Sequence, residues 1–229
     1  MKGLSLLSGG KDSFLSTVIA MEQGIDVDLS LTVISEEFSM MYHYPNTSWA
    51  KLVAVMLNTG WRSIREADLE NSLLSLKEEG YTALVIGATA SDYQKTRMEY
   101  LCNKIGMVLY APLWRISPIS ILNEILLRGI GAIMVSVSAE GLDYSDLGMR
   151  IDPEFVGHLI NVSKKYGINP VGEGGEFETL VTEFSGSEYR IEISRSAKEW
   201  SGSYGYLKIL DAIVVPRSEK ADGTISRKS

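Results

Sequence analysis

Leu4-Ser5-Leu6-Leu7-Ser8-Gly9-Gly10-Lys11-Asp12-Ser13 carries a short apolar run into two glycines, and from Phe14 apolar residues recur at helical spacing. The stretch reads as a strand, a loop and a helix N-terminus. Adjacent glycines reach backbone conformations closed to other residues, so successive N–H groups can converge on an anion. The helix that follows points its positive end at the same place. Ser8 and Ser13 add hydroxyls, Lys11 a point positive charge, and Asp12 either a helix cap or a ligand for Mg²⁺. Ser8, Gly9, Gly10, Lys11, Asp12 and Ser13 are therefore candidate binders of nucleotide phosphates, with Lys11 and Asp12 also candidate catalytic residues.

The spacing decides which kind of cradle this is. A Walker A loop needs a glycine with four residues between it and Gly-Lys, and a Ser or Thr directly after. Ser5 and Asp12 hold those positions. A dinucleotide fingerprint fails too, for want of its third glycine. The hexapeptide does resemble the pyrophosphate loop of the N-type ATP pyrophosphatases, which split ATP into AMP and pyrophosphate while activating a carbonyl oxygen.

A chain of 229 residues, 45% hydrophobic, can bury one large core or two small ones. The single cysteine, Cys102, excludes an intramolecular disulfide and any multi-cysteine metal site, which suits a reducing cytoplasm. Cys102 reads as a small core residue. No stretch has the length of a membrane span, and the first apolar run is too short for a signal peptide, so no membrane is expected. A net charge of −7 argues against a general nucleic-acid binder.

Outward from the loop, helix and strand patterns alternate. Helices are expected over 14–23, 47–58, 68–79, 95–106, 117–128 and 154–166, and strands over 26–35, 61–64, 82–87, 107–111 and 131–137. Such alternation implies a parallel sheet with ligands beyond the strands' C-terminal ends. The segment Gly87-Ala88-Thr89-Ala90-Ser91-Asp92-Tyr93-Gln94 sits at one such end, with Arg97 a turn later. Its small residues would let an adenosine approach the backbone, so Gly87, Ala88, Ser91, Tyr93, Gln94 and Arg97 join the binding candidates. Phe38 to Asn46, rich in Met and aromatic residues, reads as a loop that covers a ligand or partner; His43 within it and His158 on a later helix read as non-catalytic.

Gly172-Glu173-Gly174-Gly175-Glu176-Phe177-Glu178-Thr179 is the second informative stretch. Three carboxylates on a glycine turn could hold Mg²⁺ or an amine, so Glu173, Glu176 and Glu178 are catalytic candidates and Gly174 and Gly175 binding ones. From Thr182 the pattern turns to period two, predicting antiparallel strands over 189–193 and 206–215, and the polar tail 216–229 is expected to be disordered.

Taken together, the 8–13 loop, Ser91-Asp92-Tyr93-Gln94 with Arg97 and Glu99, Pro112-Leu113-Trp114, Gly141-Leu142-Asp143, Lys165-Tyr166-Gly167 and Gly172 to Thr179 resemble the diphthine–ammonia ligase family nearly throughout, to about Val215. The resemblance implies an α/β fold: a Rossmann-like, parallel-sheet adenine-nucleotide-binding unit over 1–94 and a family-specific α/β unit over 95–215 that ends in antiparallel strands. It implies adenylation by ATP of the carboxylate of diphthine on translation elongation factor 2, then displacement of AMP by ammonia to give diphthamide. With no glutaminase segment present, free ammonium is the expected donor, and Mg²⁺ near Asp12 the expected metal. A homodimer in the cytoplasm completes the expectations. Two rivals stay open: another pyrophosphatase reaction such as sulfur or amine transfer to tRNA, and a non-catalytic ATP or AMP sensor.

Overall fold

Parallel pairing runs through β1 (Lys2–Leu6), β2 (Asp26–Ile34), β3 (Gly60–Arg65), β4 (Ala83–Val85) and β5 (Val108–Tyr110) of the computed structural model, in the order β3-β2-β1-β4-β5. The structure describes residues 1–34 and 46–217. Between the strands run α1 (Lys11–Glu22), α2 (Ala50–Met56), α3 (Leu69–Glu78) and α4 (Asp92–Ile105). Phe14, Leu15 and Val18 of α1 share one apolar cluster with Val53 and Met56 of α2. Leu69, Leu73 and Leu76 of α3 share another with Met98, Leu101 and Cys102 of α4. The sheet is thus covered on both faces, the Rossmann-like α/β arrangement expected. At β1 and β4 the strand order reverses, and a crevice opens past their C-terminal ends, where the 8–13 and 87–94 stretches lie.

The rest is α5 (Pro118–Leu127), β6 (Ile130–Val137), α6 (Pro153–Tyr166), β7 (Phe177–Phe184), β8 (Tyr189–Ser201) and β9 (Tyr204–Pro216). The four strands close an antiparallel barrel, β6-β7-β8-β9, in which β6 also pairs with β9. The barrel is not isolated. Its Leu180, Val181 and Ile209 belong to the same apolar cluster as α1 and α2, and the Phe14 and Phe184 rings meet edge to face at 5.2 Å.

Three local expectations shift. Antiparallel pairing begins at β6 rather than at Thr182, because β6 and the first half of β7 are buried on both faces and so lack the alternation that marks a half-exposed strand. Residues 92–110 hold to the first sheet, β5 pairing with β4. Helix α1 begins at Lys11, three residues before the apolar spacing shows it. The Phe38–Asn46 loop, with His43, lies outside the described residues except for Asn46, as does the tail beyond Arg217. Asn46 is buried; its Nδ2 donates to the Leu207 carbonyl at 2.8 Å, and its Oδ1 accepts from the Ile209 amide at 3.2 Å.

Candidate functional site

The loop after β1 turns at Gly9, whose φ of +90° lies in the left-handed region that favours glycine. Its conformation is set from two directions. Locally, Ser8 and Ser13 approach hydroxyl to hydroxyl at 3.0 Å, the Gly10 amide donates to Ser8 Oγ at 3.2 Å, and Ser13 Oγ donates to the Gly10 carbonyl at 3.0 Å. From afar, β7 clamps it: the Val181 amide donates to the Gly9 carbonyl at 2.9 Å, and the Lys11 amide donates to Thr179 Oγ1 at 3.1 Å.

Lys11 is only 2% exposed. Its ammonium donates to Asp12 Oδ2 at 2.9 Å and to the Val171 carbonyl at 2.5 Å, and stands 5.1 Å from the centre of the Phe177 ring. A buried charge is tolerable only when so compensated. The lysine therefore presents positive charge at the floor of the loop from a fixed position.

Behind the loop, Gly87 lies against the first turn of α1, and a β-carbon there would stand 2.6 Å from the Ser13 amide nitrogen. This contact sets the segment after β4 against the segment after β1. Together they line a cleft with Ser8, Gly10, Lys11, Asp12 and Ser13 on one side and Gly87, Ala88 and Gln94 on another. Glu173, Gly175, Glu178 and Thr179 reach the same cleft from the second half of the chain. Leu31, Val33, Ile86 and Met98 supply an apolar wall, the kind of surface a base would occupy.

The three glutamates separate. Glu173 Oε1 accepts from the amides of Thr89, Ala90 and Ser91 at 3.1, 2.9 and 2.8 Å, so it fills the positive N-terminus of α4 and ties the acidic turn to the segment after β4. Glu176 braces its own turn: Oε1 accepts from the Asn169 amide at 2.8 Å and Oε2 from the Gly174 amide at 2.7 Å, leaving the Gly174 N–H aimed at Glu176. Glu178, on β7, lines the cleft. Of the other candidates, Ser91 caps α4 by accepting from the Gln94 amide at 3.3 Å, Arg97 pairs with Glu66 at 3.0 Å, and Tyr93 is 58% exposed. None of Gly9, Ser91, Tyr93, Arg97, Gly174 and Glu176 lines the cleft. The contacts of Thr179, at the end of the acidic glycine stretch, and of the Val171 carbonyl are not legible in the sequence; each acts on a partner at least 160 residues away, which no local pattern reveals.

Among the described residues, no group of three His, Cys, Asp or Glu side chains could hold a metal. Asp12 lines the cleft at the loop, and one carboxylate together with substrate phosphates is a donor set that Mg²⁺ takes. Cys102 is buried in α4, and burial pushes its thiol up to about 11, away from the range of a nucleophile. No helix among the described residues is long and apolar enough to cross a membrane.

The N-terminal domain model of diphthamide synthase matches residues 1–109, and the C-terminal domain model residues 117–215. The chain belongs to the diphthine–ammonia ligase family. It is 31% identical over 211 residues to the diphthine–ammonia ligase of Rattus norvegicus, covering 79% of this chain and 78% of that protein, and 30% identical to that of Homo sapiens over the same shares. To the diphthine–ammonia ligase of Schizosaccharomyces pombe it is 30% identical over 91% of this chain, which spans 39% of the longer yeast protein. Among solved structures, a predicted subunit of tRNA methyltransferase from Methanocaldococcus jannaschii superposes with a TM-score of 0.43 at 17% identity, over 81% of this chain and 98% of that one.

Proposed function

We propose that this chain amidates the diphthine of translation elongation factor 2 to diphthamide, using ATP and ammonium and releasing AMP and pyrophosphate. The observation that carries the reading is the meeting, in one cleft of a chain of this family, of the glycine loop, the segment after β4 and the acidic turn.

In this reading the triphosphate lies on residues 8–13 and the adenosine between Gly87, Ala88 and Gln94 and the apolar wall. A diphthine carboxylate oxygen attacks the α-phosphorus, and the bond to pyrophosphate breaks. Lys11 and the loop hydroxyls offset the charge gathering on the departing group. Mg²⁺, held by Asp12 and phosphate oxygens, would supply further neutralisation there. Ammonia then attacks the acyl carbon, AMP leaves, and the proton that ammonium must lose passes to a carboxylate. Glu178 takes that part, since it lines the cleft from β7, next to the Thr179 that meets the Lys11 amide; Glu173 and Glu176 accept from backbone amides. Those two hold the turn in place. The reading places the reaction in the cytoplasm, where its protein substrate works.

The test supplies ATP, ammonium and diphthine-bearing elongation factor 2, and follows the protein by mass and the nucleotide by chromatography. One AMP should appear per amide, and Glu178→Gln should cut amide formation ~10²-fold, the scale of lost general-base help, with ATP affinity little changed. Release of ADP in place of AMP, or full activity in the Gln variant, would sink the corresponding assignment.

A further inference from the structure

Beside the cleft, the barrel carries a row of side chains of which the proposed reaction uses only Glu178. Glu178 on β7 pairs with Ser136 on β6, Ser136 with Tyr206 on β9, and Tyr206 with Glu199 on β8. Cross-strand partners project from the same face of a sheet, so these four side chains share one face of the barrel, about 5 Å apart strand to strand. Tyr204, two residues along β9, projects from that face too. Its ring meets that of Tyr206 at 5.8 Å with planes 70° apart, and Tyr204 is 43% exposed. Ser136, a small residue, is the one that pairs with both Tyr206 and the cleft-lining Glu178.

Two tyrosine rings at an angle, flanked by carboxylates, form a surface suited to a cation that cannot donate hydrogen bonds. Diphthine carries such a group: its trimethylammonium nitrogen and the carboxylate to be amidated are bonded to the same carbon. With the carboxylate at the α-phosphorus, the trimethylammonium must lodge at the edge of the same cleft. We propose that Tyr204 and Tyr206, with Glu178 and Glu199 beside them, are the subsite that binds the trimethylammonium of diphthine. The inference rests on the function proposed above. Burial, the neighbouring Tyr204 hydroxyl and Glu178 raise the Tyr206 hydroxyl above its usual range, so the ring meets the cation as a neutral phenol. Glu199 is partly engaged, with Lys208 Nζ 3.9 Å away; the rings and Glu178 carry most of the recognition.

Two measurements test this. In steady-state amidation, Tyr206→Leu keeps apolar bulk but removes the ring, and should raise KM for diphthine-bearing elongation factor 2 about ten-fold with KM for ATP unchanged. Tyr206→Phe should restore it, because the ring and not the hydroxyl does the binding. Unchanged KM in the Leu variant, or equal loss in Leu and Phe, overturns the subsite. The second measurement does not need turnover: tetramethylammonium chloride, titrated into the wild-type chain, should shift the Tyr204 and Tyr206 ring resonances saturably, whereas tert-butanol, similar in shape but uncharged, should not. If neither shifts them, or both do alike, the subsite is overturned. Should wild-type protein bind tetramethylammonium but make no diphthamide, the proposed function fails and the cation site stands.

Discussion

At Gly87 a β-carbon would meet three backbone atoms: Ser13 N at 2.6 Å, Ser13 Cα at 2.7 Å and the Asp12 carbonyl carbon at 2.9 Å. Backbone at the start of a helix cannot swing aside as the end of a long side chain can. Gly87→Ala should therefore push the segment after β4 away from the loop after β1, at a cost of about 1–3 kcal/mol, the usual range for overpacking. Both walls of the cleft would part, so on the proposed function ATP affinity should fall with stability. Denaturant unfolding and ATP titration of the variant check this, and wild-type values in both would show that the close approach is not required.

At the scale of elements, helix α4 opens on a carboxylate from 82 residues further along the chain. Glu173 satisfies the amides of Thr89, Ala90 and Ser91, the run of backbone that leads into the helix and ends on its N-cap, Ser91. Glu173→Ala should remove about 1–2 kcal/mol of stability, the scale of a lost cap, and speed hydrogen exchange at those three amides. Glu173→Gln keeps a carbonyl acceptor in the same place and should recover most of the protection. Exchange that stays at wild-type rates in the Ala variant would refute the latch. The same contact explains why a tight turn with three acids is legible in the sequence while the place of each acid is not. Glycine spacing announces a tight turn, but whether each carboxylate faces solvent, its own backbone or a helix 82 residues back is a matter of packing.

For the whole molecule, the two halves share one apolar cluster, in which Phe14 of α1 packs on Phe184 of β7, and they share the glycine loop, which β7 clamps through Thr179 and Val181. Neither half can lose its structure without exposing the other's apolar surface. Calorimetry should show one unfolding transition, with calorimetric and van't Hoff enthalpies equal, and ATP should shift it as a whole. Two separable transitions would mean that the shared cluster does not couple the halves.

What the sequence determined by itself was local. The glycine loop, the small-residue segment after β4, the acidic turn and the alternation of helix and strand all rest on residues within a turn or two of one another, where backbone freedom and periodicity act. Tertiary structure decided the rest. It buried the Lys11 ammonium against the Val171 carbonyl and moved Arg97 onto Glu66. It drew β6 into an antiparallel barrel whose double-sided burial had erased the alternating pattern. It also sorted three similar glutamates into a helix latch, a turn brace and a cleft wall. A carboxylate's part depends on which amide, cation or cavity stands within about 3 Å of it, and for Glu173 those neighbours lie up to 84 residues away in sequence.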